Sequence, residues 1–165
     1  MDWLNILEKG FWFGWAAVGF AILFNVPPRT LIPIWIMGAL GGMTKLAFIS
    51  FGTSVILGSL GGAILIGILS TPLAHSKHAP PLIFSIPAVI PMVPGTFAYK
   101  MMLGLMHLTE DPNSATYNQL LHETTNNGLK AFFIIMSLAV GVALPTLITR
   151  QASIKHIKLV KKKAS

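Results

Sequence analysis

The sequence of 165 residues contains no cysteine, which excludes disulfide bonds, thiol chemistry and metal sites with cysteine ligands. Charged residues are also scarce, at 10% of the chain, whereas soluble domains contain about 25%. Together with 53% hydrophobic residues, this composition excludes an ordinary soluble domain. It predicts a protein embedded in the lipid bilayer, with no separate globular domain.

The motifs of common enzymes are missing as well. No phosphate-binding Walker loop, Gly-x-Ser-x-Gly nucleophile elbow or His-Glu-x-x-His zinc motif occurs. His75 and His78 stand three positions apart without a third ligand nearby, which is a weak indication of a metal site. We therefore expect no enzymatic activity, no cofactor and no bound metal.

The chain does contain five apolar segments. Each is long enough to cross a bilayer, whose hydrocarbon core is spanned by about 20 helical residues. They cover residues 10–26, 31–51, 55–73, 82–108 and 128–148, with polar connections at 72–81 and 109–127. The pattern predicts an all-α integral membrane protein with about five transmembrane helices within residues 1–150. A short helix from Tyr117 to Thr125 could run straight into the fifth segment.

Small residues recur at helical spacing in the second and third segments. The pattern Gly-x-x-Gly-Gly appears as Gly38 to Gly42 and again as Gly58 to Gly62. Glycines four residues apart let two helix backbones approach closely in a membrane. We therefore expect Gly38, Gly42, Gly58 and Gly62 to lie at helix contacts, with these two helices packed as neighbours.

The fourth segment is the unusual one, because it is apolar but rich in proline. Prolines stand at 80, 81, 87, 91 and 94, and the last two form the motif Pro91-Met-Val-Pro-Gly95. Each proline removes a backbone donor and disturbs the preceding helical turn. The motif predicts that the fourth helix is broken, with residues 87–95 unwound. Such segments line substrate sites in transporters, although a structural kink alone is the simpler alternative.

Several polar side chains lie near this break or inside the apolar segments. Lys45 and Lys100 are either functional or extend their long stems toward water. Asn126 is either part of a helix start or a ligand-facing amide. The hypothetical substrate-binding set is Pro91, Pro94, Gly95, Thr96, Tyr99, Lys100 and Asn126. A helix that begins after Pro94 would direct its positive end at a carboxylate.

The charge of +7 is unevenly distributed, since six of the twelve basic residues lie between Arg150 and Lys163. With five spans, Arg29, Lys77 and this tail fall on one side of the membrane. The positive-inside rule then places the N-terminus outside and residues 151–165 in the cytoplasm as a basic tail. A basic segment that flanks a membrane helix indicates contact with the lipid bilayer rather than with nucleic acid.

At Asn25-Val-Pro-Pro-Arg29 and Pro87-Ala-Val-Ile-Pro-Met-Val-Pro-Gly95 the sequence resembles the threonine/serine exporter family. The resemblance covers residues 10–150 and corresponds to the short subunit, equivalent to the C-terminal membrane half of full-length exporters. It implies export of small hydrophilic metabolites, either threonine and serine or dicarboxylates such as succinate. It also implies the use of the proton motive force, and location in a bacterial inner membrane.

The same resemblance implies a partner. In members with two subunits, a larger chain supplies a soluble N-terminal domain and five further transmembrane helices. No acidic residue lies inside an apolar segment, so a proton carrier would be a histidine or would lie on the partner. A different possibility remains open, namely a membrane scaffold that assembles or stabilises another protein without lining a substrate path.

Overall fold

The computed structural model describes residues 3–110 and 116–150, and in these ranges every regular element is helical. The helices are α1 Trp3–Leu23, α2 Leu31–Ser50, α3 Val55–Lys77, α4 Pro81–Val89, α5 Gly95–Glu110 and α6 Tyr117–Arg150, with single 3₁₀ turns at Pro28–Thr30 and Ile90–Met92. The predicted tail 151–165 and the acidic end of the polar loop at Asp111 lie outside the described residues.

Four helices, α1, α2, α3 and α6, are long and apolar enough to cross a membrane. The pair α4 and α5 passes the same test jointly and is bent by 52° at the intervening break, so it makes a fifth span when taken as one. The predicted all-α membrane protein with a broken fourth segment is therefore confirmed. The polar stretch after Tyr117 is continuous with the fifth segment in one helix, α6.

Helix α4 lies at the centre of the bundle, although it has only nine residues. It packs against α1, α2 and α3, and Phe84, Pro87 and Ala88 are completely buried there. Helix α5 has a different environment, because its main contact is with α6 and most of its side chains are exposed. The two arms of the broken span therefore differ: one is a core element and the other is peripheral.

The connections follow from local backbone chemistry. Asn25 has φ 53°, a left-handed conformation that asparagine tolerates better than most residues, and it ends α1 before two prolines. Residue Gly52 turns the chain between α2 and α3 with φ 82°. At the end of α3, His78 has φ 50° and its N–H bonds to the carbonyl of His75 at 3.4 Å. These turns place successive helices antiparallel.

The predicted polar connection at residues 72–81 is too long, because α3 continues through Pro72 to Lys77. Proline is tolerated in membrane helices when surrounding groups compensate for the missing N–H. Pro72 is exposed to the surroundings of the bundle. The basic side chains of His75 and Lys77 in the last turn interact favourably with the helix dipole. The connection is therefore reduced to the residues between Lys77 and Pro81.

Small residues allow the helices of the core to approach closely. A Cβ added at Gly38 would lie 2.6 Å from the Cβ of Ala17, and one at Gly42 would meet the Phe13 ring, so these two glycines face α1. Gly41 is the glycine of α2 that faces α3. A Cβ added at Gly62 of α3 would lie 2.6 Å from the carbonyl oxygen of Gly41. A Cβ added at Gly58 would lie 2.9 Å from the carbonyl oxygen of Lys45, so Gly58 also faces α2.

Replacement of Gly62 by leucine should destabilise the bundle, since the new side chain would meet both Gly41 and the Met92 methyl group. We expect a loss of about 1–3 kcal/mol in the free energy of unfolding, as for other overpacked sites, and less protein in the membrane. Gly19→Leu is the matched control, because a Cβ at Gly19 meets nothing within 4 Å. Equal thermal stability and membrane level for the two variants would contradict a close contact at Gly62.

Candidate functional site

The break in the fourth span is a short segment of irregular backbone. One 3₁₀ turn covers Ile90–Met92, Val93 is extended with ψ 136°, and α5 begins at Gly95. The extended conformation of Val93 is the one that a following proline favours. The N–H of Val93 bonds to the carbonyl of Ile90 at 3.0 Å, and that of Gly95 to the carbonyl of Val93 at 2.9 Å. The segment is thus folded by tight turns rather than by helical bonds.

The break is shorter than the sequence predicts. Residues 87–95 were expected to be unwound, but Pro87 lies inside α4 and only Ile90 to Pro94 depart from α-helix. The burial of Pro87 among the surrounding helices explains the difference, because close packing supports the short helix where one backbone bond is missing. The carbonyl of Ile83 is the acceptor that loses its usual donor at this proline.

Lys45 connects α2 to the break. Its Nζ atom donates a hydrogen bond of 2.9 Å to the carbonyl oxygen of Met92. In a regular helix that oxygen would accept the N–H of residue 96, but the extended Val93 prevents this geometry. Met92 itself is completely buried, and its methyl group lies against Gly62 of α3. The break is therefore fixed by a side chain of α2 and by packing on α3.

Residues on the C-terminal side of the break are accessible. Pro91 is half-buried and Pro94 is buried, whereas Gly95, Thr96 and Tyr99 are exposed. A Cβ built on Gly95 meets nothing within 4 Å. The first turn of α5 therefore has free space around its backbone, which leaves room for a ligand or for another protein chain.

Lys100 and Asn126, which are distant in sequence, line the same surface groove between α5 and α6. This α5–α6 groove is open and has a volume of about 410 Å³. Its lining consists of Lys100, Leu103, Gly104, His107, Leu120, Glu123, Thr124, Asn126 and Asn127. The other predicted site residues, from Pro91 to Tyr99, are not part of this lining. The structure thus separates the hypothetical site into the break and the groove.

The floor of the groove is a close crossing of α5 and α6. A Cβ at Gly104 would collide with the hydroxyl oxygen of Thr124, so glycine is required for this approach. Thr124 is almost fully buried, and its hydroxyl has no hydrogen-bond partner among the described residues. On the rim, the Gln119 amide donates to the Glu123 carboxylate at 3.1 Å. The groove therefore combines a cation, an anion, a histidine and two amides.

The length of α6 places this groove near one membrane surface. Thirty-four residues correspond to about 51 Å of helix, which exceeds the hydrocarbon thickness of about 30 Å. The apolar part of α6 starts near Gly128, so the turns from Tyr117 to Asn127 extend beyond the hydrocarbon. Asn126 does not begin this helix, because α6 already starts at Tyr117.

Sequence reasoning missed one cation near the break. Lys130 of α6 places its Nζ atom 5.8 Å from the centre of the Phe97 ring, two residues after α5 begins. Cations are attracted to aromatic faces at this distance. The available signal was a lysine two positions after Gly128, inside the fifth apolar segment. Lys45, Lys100 and Lys130 therefore bring three positive charges to the region between Met92 and Lys100.

Within residues 3–110 and 116–150, no group of three or more metal-ligating side chains is assembled. His75 uses its Nδ1 atom locally, 2.9 Å from the carbonyl oxygen of Thr71. The break and the α5–α6 groove together favour recognition of a polar, negatively charged group by lysine side chains and accessible backbone groups. Among the described residues of the break and the groove, it contains no paired nucleophile and base.

Comparison with known proteins agrees with this picture. The family model described as "Threonine/Serine exporter, ThrE" matches residues 10–148. An uncharacterized protein of Haemophilus influenzae is 34% identical over 133 residues, which cover 80% of this chain and 43% of that protein. The chain thus spans less than half the length of that relative. No solved structure matches the chain.

The contact between Gly104 and Thr124 can be tested by a double-mutant cycle. Gly104→Ala alone should cost about 1–3 kcal/mol in the free energy of unfolding, because the methyl group collides with Thr124. In a Thr124→Ala background the same change should cost much less, since the colliding oxygen is gone. The free energy of unfolding in detergent is measured for the wild type, both single variants and the double variant. Additive effects would contradict this crossing of α5 and α6.

Proposed function

The chain belongs to the threonine/serine exporter family, and on that premise we propose that it is one subunit of a secondary transporter for small hydrophilic metabolites. The substrates proposed are threonine and serine, or a dicarboxylate such as succinate. Export would draw on the proton motive force, as the family resemblance implies. The broken fourth span is the single observation that best supports this function, because irregular backbone inside a membrane belongs where it is buried in protein or lines a polar path.

The chemistry around the break suits such substrates. All of them carry a carboxylate, and Lys45, Lys100 and Lys130 supply positive charge from three different helices. Gly95 offers unobstructed backbone at the start of α5, and the helix dipole there favours a negative group. In the proposal the substrate meets Pro91 to Gly95 at the break and passes Thr96, Tyr99, Lys100 and Asn126 on the peripheral arm.

We propose that a larger subunit completes the path. It would contribute a soluble N-terminal domain and five transmembrane helices, as in two-subunit members of the family. The chain matches only 43% of the Haemophilus influenzae relative, so that protein contains additional sequence that a separate partner could supply here. The exposure of Thr96 and Tyr99 on a membrane arm also favours a protein neighbour, since polar groups are costly in contact with lipid.

In the proposed orientation the subunit lies in the bacterial inner membrane with the N-terminus outside and the basic tail in the cytoplasm. The connection between α2 and α3 then lies outside, and the end of α3 lies in the cytoplasm. This arrangement follows the positive-inside rule, with Arg29 and Lys77 on the cytoplasmic side.

Single cysteines test this orientation on the cysteine-free chain. Ser50→Cys and Ser76→Cys are matched changes, because both serines are exposed and each bonds only to its own helix. An impermeant maleimide added to intact cells should label position 50, and should label position 76 only after permeabilisation. Labelling of position 76 alone in intact cells would reverse the topology.

The role of the break is tested by restoring a regular helix. Pro91→Ala with Pro94→Ala returns two backbone donors and releases Val93 from its extended conformation. Export should fall by about tenfold or more while insertion is retained, because loss of about 1.4 kcal/mol of substrate interaction changes a rate constant tenfold. Gly95→Val should act similarly; since a Cβ at position 95 meets none of the described residues within 4 Å, its effect would report on a ligand or on the partner subunit.

The measurement is efflux of labelled threonine, serine or succinate from preloaded cells, normalised to the amount of protein in the membrane. Cells expressing this chain, its partner, or both provide the comparison, and only the pair should export. Wild-type efflux from both proline and glycine variants would leave the prolines as a structural kink. Assembly of the partner without any efflux would favour the scaffold.

A further inference from the structure

Lys45 is the only charged residue of α2, and its position is unusual. It is the fifteenth of the 20 residues of that helix, about 21 Å from its first residue and about 8 Å from its last at 1.5 Å per residue, and therefore within a hydrocarbon core of about 30 Å. A charged side chain at such depth costs several kcal/mol unless it is paired or solvated. A charged lysine at this position therefore needs a polar partner or contact with water.

The structure supplies only part of that interaction. A lysine ammonium group carries three N–H donors, and one of them bonds to the Met92 carbonyl at 2.9 Å. Among the residues that the structure describes, this is the one hydrogen bond of the Lys45 side chain. The other two donors thus have no partner among the described residues.

No described acidic side chain balances the positive charge of Lys45 either. Of the acidic side chains described, Glu8 lies on the exposed first turns of α1 and Glu123 lies on the rim of the α5–α6 groove. Neither forms an ion pair with Lys45 in the described residues. Its partner is the neutral carbonyl group of Met92. An anion is the group that such a site lacks.

We propose that Lys45 binds the carboxylate of the transported metabolite and thereby selects for anionic or zwitterionic substrates. The Met92 carbonyl positions the ammonium group by accepting one of its hydrogen bonds, while the other two donors reach the substrate. The role of the proline break is then twofold: it frees the Met92 carbonyl for Lys45 and opens the backbone next to it. This inference rests on the proposed export function and assigns its binding residue.

A purely structural role for Lys45 would be a clamp that holds the break to α2. The two roles differ in what can replace the lysine. A clamp needs a donor to Met92 and would be insensitive to substrate, whereas a carboxylate site needs the positive charge and is occupied by substrate. The test must therefore change the charge at constant size and must include a measurement of binding.

The absence of cysteine from the chain allows this charge to be removed and restored chemically. Lys45→Cys is reconstituted in liposomes with the larger subunit, itself made cysteine-free, and uptake of labelled serine, threonine or succinate is measured. Transport should fall by about tenfold or more, the effect of losing a hydrogen bond to a charged group. Aminoethyl methanethiosulfonate, which attaches an ammonium group, should restore most of the transport. Methyl methanethiosulfonate, which attaches a neutral group, should not.

Lys9→Cys is the control, because Lys9 is an exposed lysine on α1 and its variant should transport normally with or without either reagent. Lys45→Arg keeps the charge and should retain measurable transport. Three outcomes would each overturn the proposal. Lys45→Cys could transport at the wild-type rate, or both reagents could restore its transport equally. The third is that transport is absent both in Lys45→Cys treated with the ammonium reagent and in Lys45→Arg. Comparison of the three substrates identifies whether a zwitterion or a dicarboxylate is bound.

Binding is measured independently of transport. The same three substrates, supplied at least about tenfold above the concentrations that saturate the wild-type pair to offset the weaker binding expected of the variant, should slow the reaction of the methyl reagent with the thiol of Lys45→Cys. They should leave its reaction with the thiol of Lys9→Cys unchanged. Protection of the thiol at position 45 without any transport by the wild-type pair would refute the export function while supporting the anion site. Transport by the wild-type pair without protection at position 45 would retain the export function and refute the role of Lys45.

Discussion

Inside a bilayer, backbone N–H and C=O groups have no water to bond, and this requirement governs the fourth span of the bundle. Prolines at 91 and 94 make a continuous helix impossible, so the carbonyls near them need other donors. The structure meets the need in two ways: with tight turns at Val93 and Gly95, and with the ammonium group of Lys45 at Met92. A charged side chain from a neighbouring helix thus performs the task that water performs at the break of a soluble helix.

The same break requires a dense surrounding. Helix α4 is too short to cross the membrane and remains in place because α1, α2 and α3 enclose it. Helices α2 and α3 approach each other through Gly41 and Gly62, and a Cβ at Gly62 would occupy the space taken by the buried Met92. Close packing and irregular backbone are therefore linked: without small residues in α2 and α3, the 3₁₀ turn would have no buried site.

The sequence was sufficient for the number of spans and for the break, because long apolar segments and clustered prolines act locally. The sequence was insufficient where contacts between distant helices determine the local structure. Pro87 remains helical because of its surroundings, and Gly38 and Gly42 turned out to face α1. The contact of Lys45 with Met92, 47 positions apart, and that of Lys130 with Phe97 depend on how helices are arranged. The arrangement of the helices also brings Lys100 and Asn126 into one groove.

The excess length of α6 has a consequence for how ions in the surrounding solution act on the protein. Its first turns carry the α5–α6 groove beyond the hydrocarbon, where dissolved salt screens charges over about 8 Å at physiological ionic strength. The charges of Lys100 and Glu123 in that groove are therefore attenuated by salt. Lys45, at the depth of the break, is half-buried, and partly buried charges are screened less than exposed ones. One polypeptide thus presents charges that differ in how strongly they respond to ionic strength.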